Sequence, residues 1–445
     1  MTPQKSKYLL NVGSTNFLPI LQAIFTLVTT PLILQSLGIN DYGIWFLLQS
    51  LIIWFGLARF GFDTTLIRDL AAIRDKPVGE ETQTLVSSTF YASFLVLVVL
   101  AVSIFFASPL FGNWFDFTAD KNTLFKNTLV IVFVIFVFKF LGSSLESLFF
   151  SRDQFYKRNI ICVIRSIFQF ALIIGVFKLG KLNLIGLAII FLVAAIFEFT
   201  ALLLIARKIW GFFPSLRNFD LDLIKKMFRP SSGYFIIGIA ALVVFRSDNF
   251  LVAAFLSVEE VAVYAISYYL LDYTMRFIWN FGELLSPRLS ACYYNNQISE
   301  LKSVFWKMNL VTVSLAMAGG LAIYFFGFWF LKLWIGEINF VDPNVLRVFA
   351  FTLFFQCVTK ACGVFVKAIG RHQPIVWISC LEAGLKIGIS IVLVQYYGML
   401  GIALGTLIAH LLTTGWFIPY LSLKIIMKDS IDAVPETKSM SKSNN

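Results

Sequence analysis

About twelve consecutive apolar stretches, each long enough to cross a bilayer, leave this chain very few folds. In hydrocarbon every backbone N–H and C=O must be paired inside its own segment or within a closed barrel, so long continuous apolar runs predict helices. The spacing predicts spans over 8–35, 42–62, 87–111, 124–150, 160–177 and 184–206. A second set follows over 231–256, 261–285, 305–331, 345–368, 375–396 and 401–426. The expected fold is an all-α polytopic membrane protein of about twelve transmembrane helices in two six-helix bundles, 1–206 and 231–428. A cytoplasmic connecting loop, 207–230, joins them, and a disordered cytoplasmic tail, 429–445, follows. Composition excludes a water-soluble multidomain enzyme, because 58% of the residues are hydrophobic and only 14% charged.

A net charge of +11 would suggest nucleic acid in a soluble protein, but here its position matters more than its size. Lys5, Lys7, Arg68, Arg152, Lys157, Arg158 and the basic run from Arg207 to Arg229 fall on alternate connections. The opposite connections, such as 38–41 and 257–260, are short and neutral or acidic. The positive-inside rule therefore places both termini in the cytoplasm, and no nucleic-acid partner is expected. The first apolar stretch has no small-residue cleavage site, so it is read as a retained span.

Enzyme signals are weak. The five cysteines lie in or beside apolar stretches without metal-ligand spacing and predict small buried thiols rather than disulfides. Two histidines, His372 and His410, rule out a His-rich metal site, and no phosphate-binding glycine loop is present. Asp220 and Asp222 have the Asp-x-Asp spacing of some divalent-ion sites, yet their connection has no room for a catalytic domain. No cofactor, metal or catalytic residue is expected, which points to transport rather than catalysis.

A weak internal repeat appears at an offset of 219 residues. Leu37, Asp41, Gly43 and Ser50 align with Leu256, Glu260, Ala262 and Tyr269, while Arg152 and Gln154 align with Arg371 and Gln373. An even number of spans per half makes this a parallel repeat, with the ligand expected between the halves near the midplane. Gly384 with Gly388, and Gly401 with Gly405, are small-xxx-small pairs that predict close helix contacts. Pro19 and Pro31 predict a bend in the first span.

Ionisable side chains at membrane depth cost roughly 2.5 to 3.5 kcal/mol each, so they need a partner or a purpose. Asp272 with Arg276, and Glu382 with Lys386, stand at i,i+4 and are read as structural ion pairs. Arg246 and Asp248 are two residues apart, which on a continuous helix would point them to opposite sides. Lys139 and Lys360 have no counter-charge within a turn of their own helix. Facing a partly wet cavity, Arg246, Lys139 and Lys360 suit an anionic group such as a diphosphate, with salt bridges to Glu146, Glu198 or Glu283 as the alternative. Asp248, Asp272 and Glu198 are candidate ion-coupling carboxylates. Tyr264 and Trp279 are candidate platforms for sugar faces.

Residues 31–38, from Pro31 to Gly38, followed by 41–45, from Asp41 to Trp45, and then Phe60, Gly61, Phe62, Asp63 and Arg68, carry a family likeness. Arg246, Ser247 and Asp248, then 261–264, and Gly370, Arg371 and Gln373 extend it into the second half. Over nearly the whole chain the pattern resembles the bacterial polysaccharide and O-antigen flippase branch of the multidrug/oligosaccharidyl-lipid/polysaccharide exporter superfamily. That resemblance implies an inner-membrane protein moving undecaprenyl-diphosphate-linked oligosaccharide repeat units between leaflets, with membrane lipids, glycan polymerase and chain-length machinery as partners. The resemblance implies a cationic lumen, from which this chain departs by mixing signs. A multidrug/cation antiporter of the same superfamily and a membrane glycan polymerase or ligase are the rival readings.

Overall fold

The computed structural model describes residues 3–73, 79–114, 118–336, 342–371 and 373–428. The tail 429–445 and His372 lie outside the described residues. Fourteen α-helices account for nearly all the described chain: α1 (Pro3–Phe55), α2 (Phe62–Ala72), α3 (Glu80–Trp114), α4 (Ala119–Ser151), α5 (Phe155–Lys178), α6 (Leu184–Trp210) and α7 (Leu221–Arg246). They continue as α8 (Asp248–Phe255), α9 (Val258–Tyr294), α10 (Ile298–Ile335), α11 (Pro343–Ala368), α12 (Gln373–Tyr397), α13 (Met399–Leu412) and α14 (Thr414–Lys428).

Twelve crossings account for these helices. Among the described residues nine stretches are long and apolar enough to span by themselves, and α7 with α8 makes a tenth, bent by 50°. The first of the nine, Gly13–Arg59, is broken at Gly38, whose φ of 75° and ψ of 170° leave the helix and turn α1 into two crossings. The twelfth is α9, whose 37 residues are long enough to cross but whose apolar signal is diluted by Asp272, Arg276 and Glu283. All five cysteines are free, four of them buried.

Several local features differ from the simplest reading of the sequence. The seventh span is not one straight helix, because Ser247 turns its hydroxyl back to the Val243 carbonyl at 2.6 Å and the chain bends there. Opposite orientation of Arg246 and Asp248 therefore does not follow from helical periodicity. Helical dihedrals persist through Pro19 and Pro31. Pro31 has no N–H for the Leu27 carbonyl, which instead accepts the Trp334 indole N–H at 2.6 Å. Among the described residues, no atom outside the helix backbone lies within 4 Å of a Cβ built at Gly384 or Gly388, so the close contact expected there is not formed among them. Gly401 does have one, since its Cβ would meet the Leu393 carbonyl oxygen at 2.2 Å.

The chain divides into two compact units: Met1–Tyr269 with Trp329–Asp342 and Ser390–Ile402, and Leu270–Phe328 with Pro343–Ile389 and Ala403–Asn445. In the first unit, Leu66, Leu145, Phe149, Leu202 and Phe212 are fully or almost fully buried in one core. A stripe of α1 with spacings of three and four residues closes against α7, α8 and α9 in that unit. Phe46 meets Tyr269, Ser50 accepts the Asn249 amide at 2.9 Å, and Trp54 packs edge-on to Phe250. Gly43 heads the stripe, where a Cβ would fall 2.0 Å from the Val258 carbonyl oxygen. In the second unit Phe305, Phe365 and Leu289 are buried in a separate core.

Candidate functional site: a cation-lined cavity

Four helices of the first unit enclose a cavity of about 370 Å3. Its lining follows helical periodicity. Lys139, Ser143 and Glu146 project from α4, Arg158, Cys162 and Arg165 from α5, and Glu198 with Leu202 from α6, each set at spacings of three or four. Leu18 and Gln22 complete the wall from α1, and Arg59 enters from the turn that follows it.

That turn is shaped by two successive left-handed residues, Phe60 at φ 50° and Gly61 at φ 74°. Phe60 is the unusual one, since a side chain there is strained, and the strain stands beside a lining residue. Arg59 is held on three sides. It donates from Nη1 to Asp63 at 2.9 Å and from Nη2 to the Lys139 carbonyl at 3.1 Å, and its guanidinium lies 5.2 Å from the Phe140 ring centroid. Ser143 donates to the other oxygen of Asp63 at 3.0 Å, so one carboxylate ties the turn to α4.

The remaining charges pair incompletely. Arg158 donates to Glu146 Oε2 at 3.1 Å, and Arg165 Nε lies 3.3 Å from Glu198 Oε2. Cys162 donates to Glu198 Oε1 at 3.0 Å. Arg59 and Arg165 each keep a buried Nε–H without a hydrogen-bond acceptor. Lys139 is exposed, and its ammonium makes no ion pair or hydrogen bond among the described residues. Four cations thus line the wall against two carboxylates, an arrangement that lowers the cost of bringing in an anion.

A family model described as "Polysaccharide biosynthesis protein" matches residues 9–292, a stretch that includes every residue of this cavity. The chain belongs to that family. Two relatives of the family member are similar along nearly their whole length. A Salmonella typhi protein named for O-antigen transport is 23% identical, covering 93% of this chain and 95% of the relative. A Yersinia pseudotuberculosis protein named for O-antigen export is 22% identical, covering 87% and 90%. Among solved structures, an inward-facing multidrug resistance MATE transporter of the MOP superfamily superposes with a TM-score of 0.76 at 14% identity, covering 93% of this chain and 96% of the other. The lipid II flippase MurJ, in an inward closed conformation, gives 0.70 at 16%, covering 95% and 91%. The fold of this polysaccharide biosynthesis protein is therefore that of the MOP superfamily, and it is a multi-pass membrane protein.

The residues singled out from sequence are dispersed. Lys139 and Glu198 meet in the cavity. Asp248 and Tyr264 meet elsewhere in the first unit, where the phenol donates to the carboxylate at 2.9 Å. Arg246 stands two residues before Asp248, and its carbonyl accepts the Trp54 indole N–H at 3.4 Å. Lys360 and Trp279 meet in the second unit, with the ammonium 5.2 Å from the ring centroid and 2.8 Å from Glu283. Arg276 donates to Asp272 at 3.0 Å. Glu382 stands 2.9 Å from His410 Nδ1 and accepts from Thr414, and Lys386, one turn further along α12, is fully buried. Sequence reasoning missed Arg59, Arg158 and Cys162 as cavity residues. Arg59 and Asp63 stand at i,i+4, and that spacing was the available signal for the first.

Proposed function

We propose that this protein flips undecaprenyl-diphosphate-linked oligosaccharide repeat units across a bacterial cytoplasmic membrane for O-antigen or another surface polysaccharide. The carrying observation is the Lys139 ammonium, exposed on a cavity wall beside three guanidinium groups with no counter-ion of its own. A diphosphate supplies the missing charge, and guanidinium groups offer it paired donors. Membership of the polysaccharide biosynthesis family and likeness to two relatives named for O-antigen export and transport support the cargo class.

In this reading the bundles 1–206 and 231–428 alternate in access while the prenyl tail stays in lipid. Arg246, Lys360, Tyr264 and Trp279 serve the head group at other stages of the cycle. Asp248, Asp272 and Glu198 are the carboxylates through which a proton or sodium gradient drives turnover. Both termini face the cytoplasm, and glycan polymerase and chain-length machinery receive the product. The rival reading, a drug/cation antiporter, would place cationic cargo against four wall cations.

The test is complementation of a strain lacking the gene. Cells without it should accumulate complete lipid-linked repeat units on the cytoplasmic leaflet. The native gene should clear them, and Lys139→Ala should not, although the variant inserts normally. Clearance by Lys139→Ala at the native rate would remove the cavity from the mechanism.

A further inference from the structure

Between α6 and the apolar part of α7 runs a connection with two faces of opposite character. Its inner face is fixed to α3 by side chains at 83, 87, 88 and 91. Ser87 accepts the Ser215 N–H at 3.3 Å, Ser88 accepts the Asp220 N–H at 2.8 Å, and Asn218 donates to Gln83 at 2.8 Å. Tyr91 donates to the Pro214 carbonyl at 3.4 Å, and Phe212 and Met227 are buried in the core beneath. This is a built element, not a loose tether.

The outer face is apolar and cationic together. Phe213, Leu216, Phe219, Leu221 and Phe228 are 40 to 69% exposed. Interleaved with them are Arg207, Lys208, Arg217, Lys225 and Lys226, all exposed. Two acids answer five cations, and both are engaged: Asp220 caps α7 by accepting the Asp222 and Leu223 N–H groups, and Asp222 pairs with Lys225 at 3.1 Å. Lys208, Arg217 and Lys226 make no ion pair among the described residues. The element starts where the span Leu184–Trp210 ends, so it lies at the membrane boundary.

We propose that residues 207–228 form an interfacial anchor that binds the anionic headgroup region of the adjacent leaflet. The exposed aromatic and aliphatic side chains enter the acyl boundary, and the cations contact phosphate oxygens above it. A neutral surface would satisfy the apolar groups and leave Lys208, Arg217 and Lys226 unanswered, so charge complementarity selects anionic lipid. Because the element is fixed to α3, binding there sets the depth of the first unit in the bilayer.

Hydrogen exchange on the full-length protein tests this without a transport assay, so it stands or fails apart from the proposed cargo. The protein is placed in nanodiscs of phosphatidylcholine alone and of phosphatidylcholine with phosphatidylglycerol. Amides of 213–228 should exchange about tenfold more slowly on the anionic discs. High salt, or the triple variant Arg217→Gln, Lys225→Gln, Lys226→Gln, should return them to the neutral-disc rate, while α4 and α6 amides stay unchanged as the control for folding. Equal protection on both discs would leave only apolar contact and overturn the anionic assignment. Rapid exchange on both would place the element in water and overturn the anchor altogether.

Discussion

In the first unit, four cations and two carboxylates line an open cavity, the Lys139 ammonium makes no ion pair or hydrogen bond among the described residues, and the buried Nε–H groups of Arg59 and Arg165 lack a hydrogen-bond acceptor. In the second, a different group of polar residues closes on itself. His410 Nδ1 is 2.9 Å from Glu382, the Thr359 hydroxyl is 3.1 Å from His410 Nε2, and Thr414 donates to the second oxygen of Glu382. No buried side-chain nitrogen or oxygen of Glu382, His410, Thr359 or Thr414 lacks a partner. Both clusters lie on apolar helices, yet incomplete pairing around a cavity leaves work for a ligand, whereas polar groups that all find partners fix helices to one another.

The largest effect expected from this contrast is on stability in the closed cluster. Glu382→Ala strips His410 and Thr414 of their acceptor in a site where both are almost fully buried. It should destabilise the protein by about 3 to 5 kcal/mol, read as a lower unfolding midpoint in detergent. An unchanged midpoint would mean that this network holds nothing together.

The cavity should behave in the opposite way. Lys139→Ala removes a charge that supports no internal contact, so the unfolding midpoint should hold. Transport should fall by about tenfold to a hundredfold, the size of a lost charge-assisted hydrogen bond to an anion. A variant that melts early but transports normally would reverse the two assignments.

How far the sequence anticipated this follows from what each signal can carry. Apolar run length gave the twelve crossings, since a bilayer imposes nearly the same length on every helix. It said less about α9, where Asp272, Arg276 and Glu283 interrupt the run. Lys139 and Glu198 stood out because charge at membrane depth needs an explanation. Arg158 did not, because near a helix end the same residue type reads as a topology signal. Cys162 reads as a small hydrophobe until Glu198 stands 3.0 Å away. These misses share a cause: helical spacing says which residues of one helix share a face but not which helix that face meets.

A smaller effect separates the cavity from the closed stripe in the same unit. Gly43→Ala puts a methyl group against the Val258 backbone carbonyl, which has no flexible side-chain end to yield. Overpacking of this kind costs about 1 to 3 kcal/mol, so the unfolding midpoint should drop less than for Glu382→Ala. A cysteine pair introduced as Ser50→Cys and Asn249→Cys should crosslink less readily in the Gly43→Ala background. Equal crosslinking would show that the stripe absorbs the methyl group without opening.

The smallest effect lies at the end of that stripe, in the first turn of α9. Burial, with the Glu259 carboxylate as a second cause, pushes the Glu260 carboxyl above its ordinary value. The folded protein then holds this proton more tightly than the unfolded chain does. Stability contributed by the protonated form is present below the ordinary carboxylate value of 4.5 and is lost as pH rises through the raised one. Glu260→Gln keeps the shape without the charge, so it should raise the unfolding midpoint slightly near neutral pH and leave it unchanged near pH 4. Unlike Lys139, whose exposed charge faces space that an anion can enter, Glu260 carries a charge that partial burial only penalises. A fall in the midpoint at neutral pH would mean that the Glu260 carboxylate has a favourable partner after all, making this turn a second place where charge is held for use.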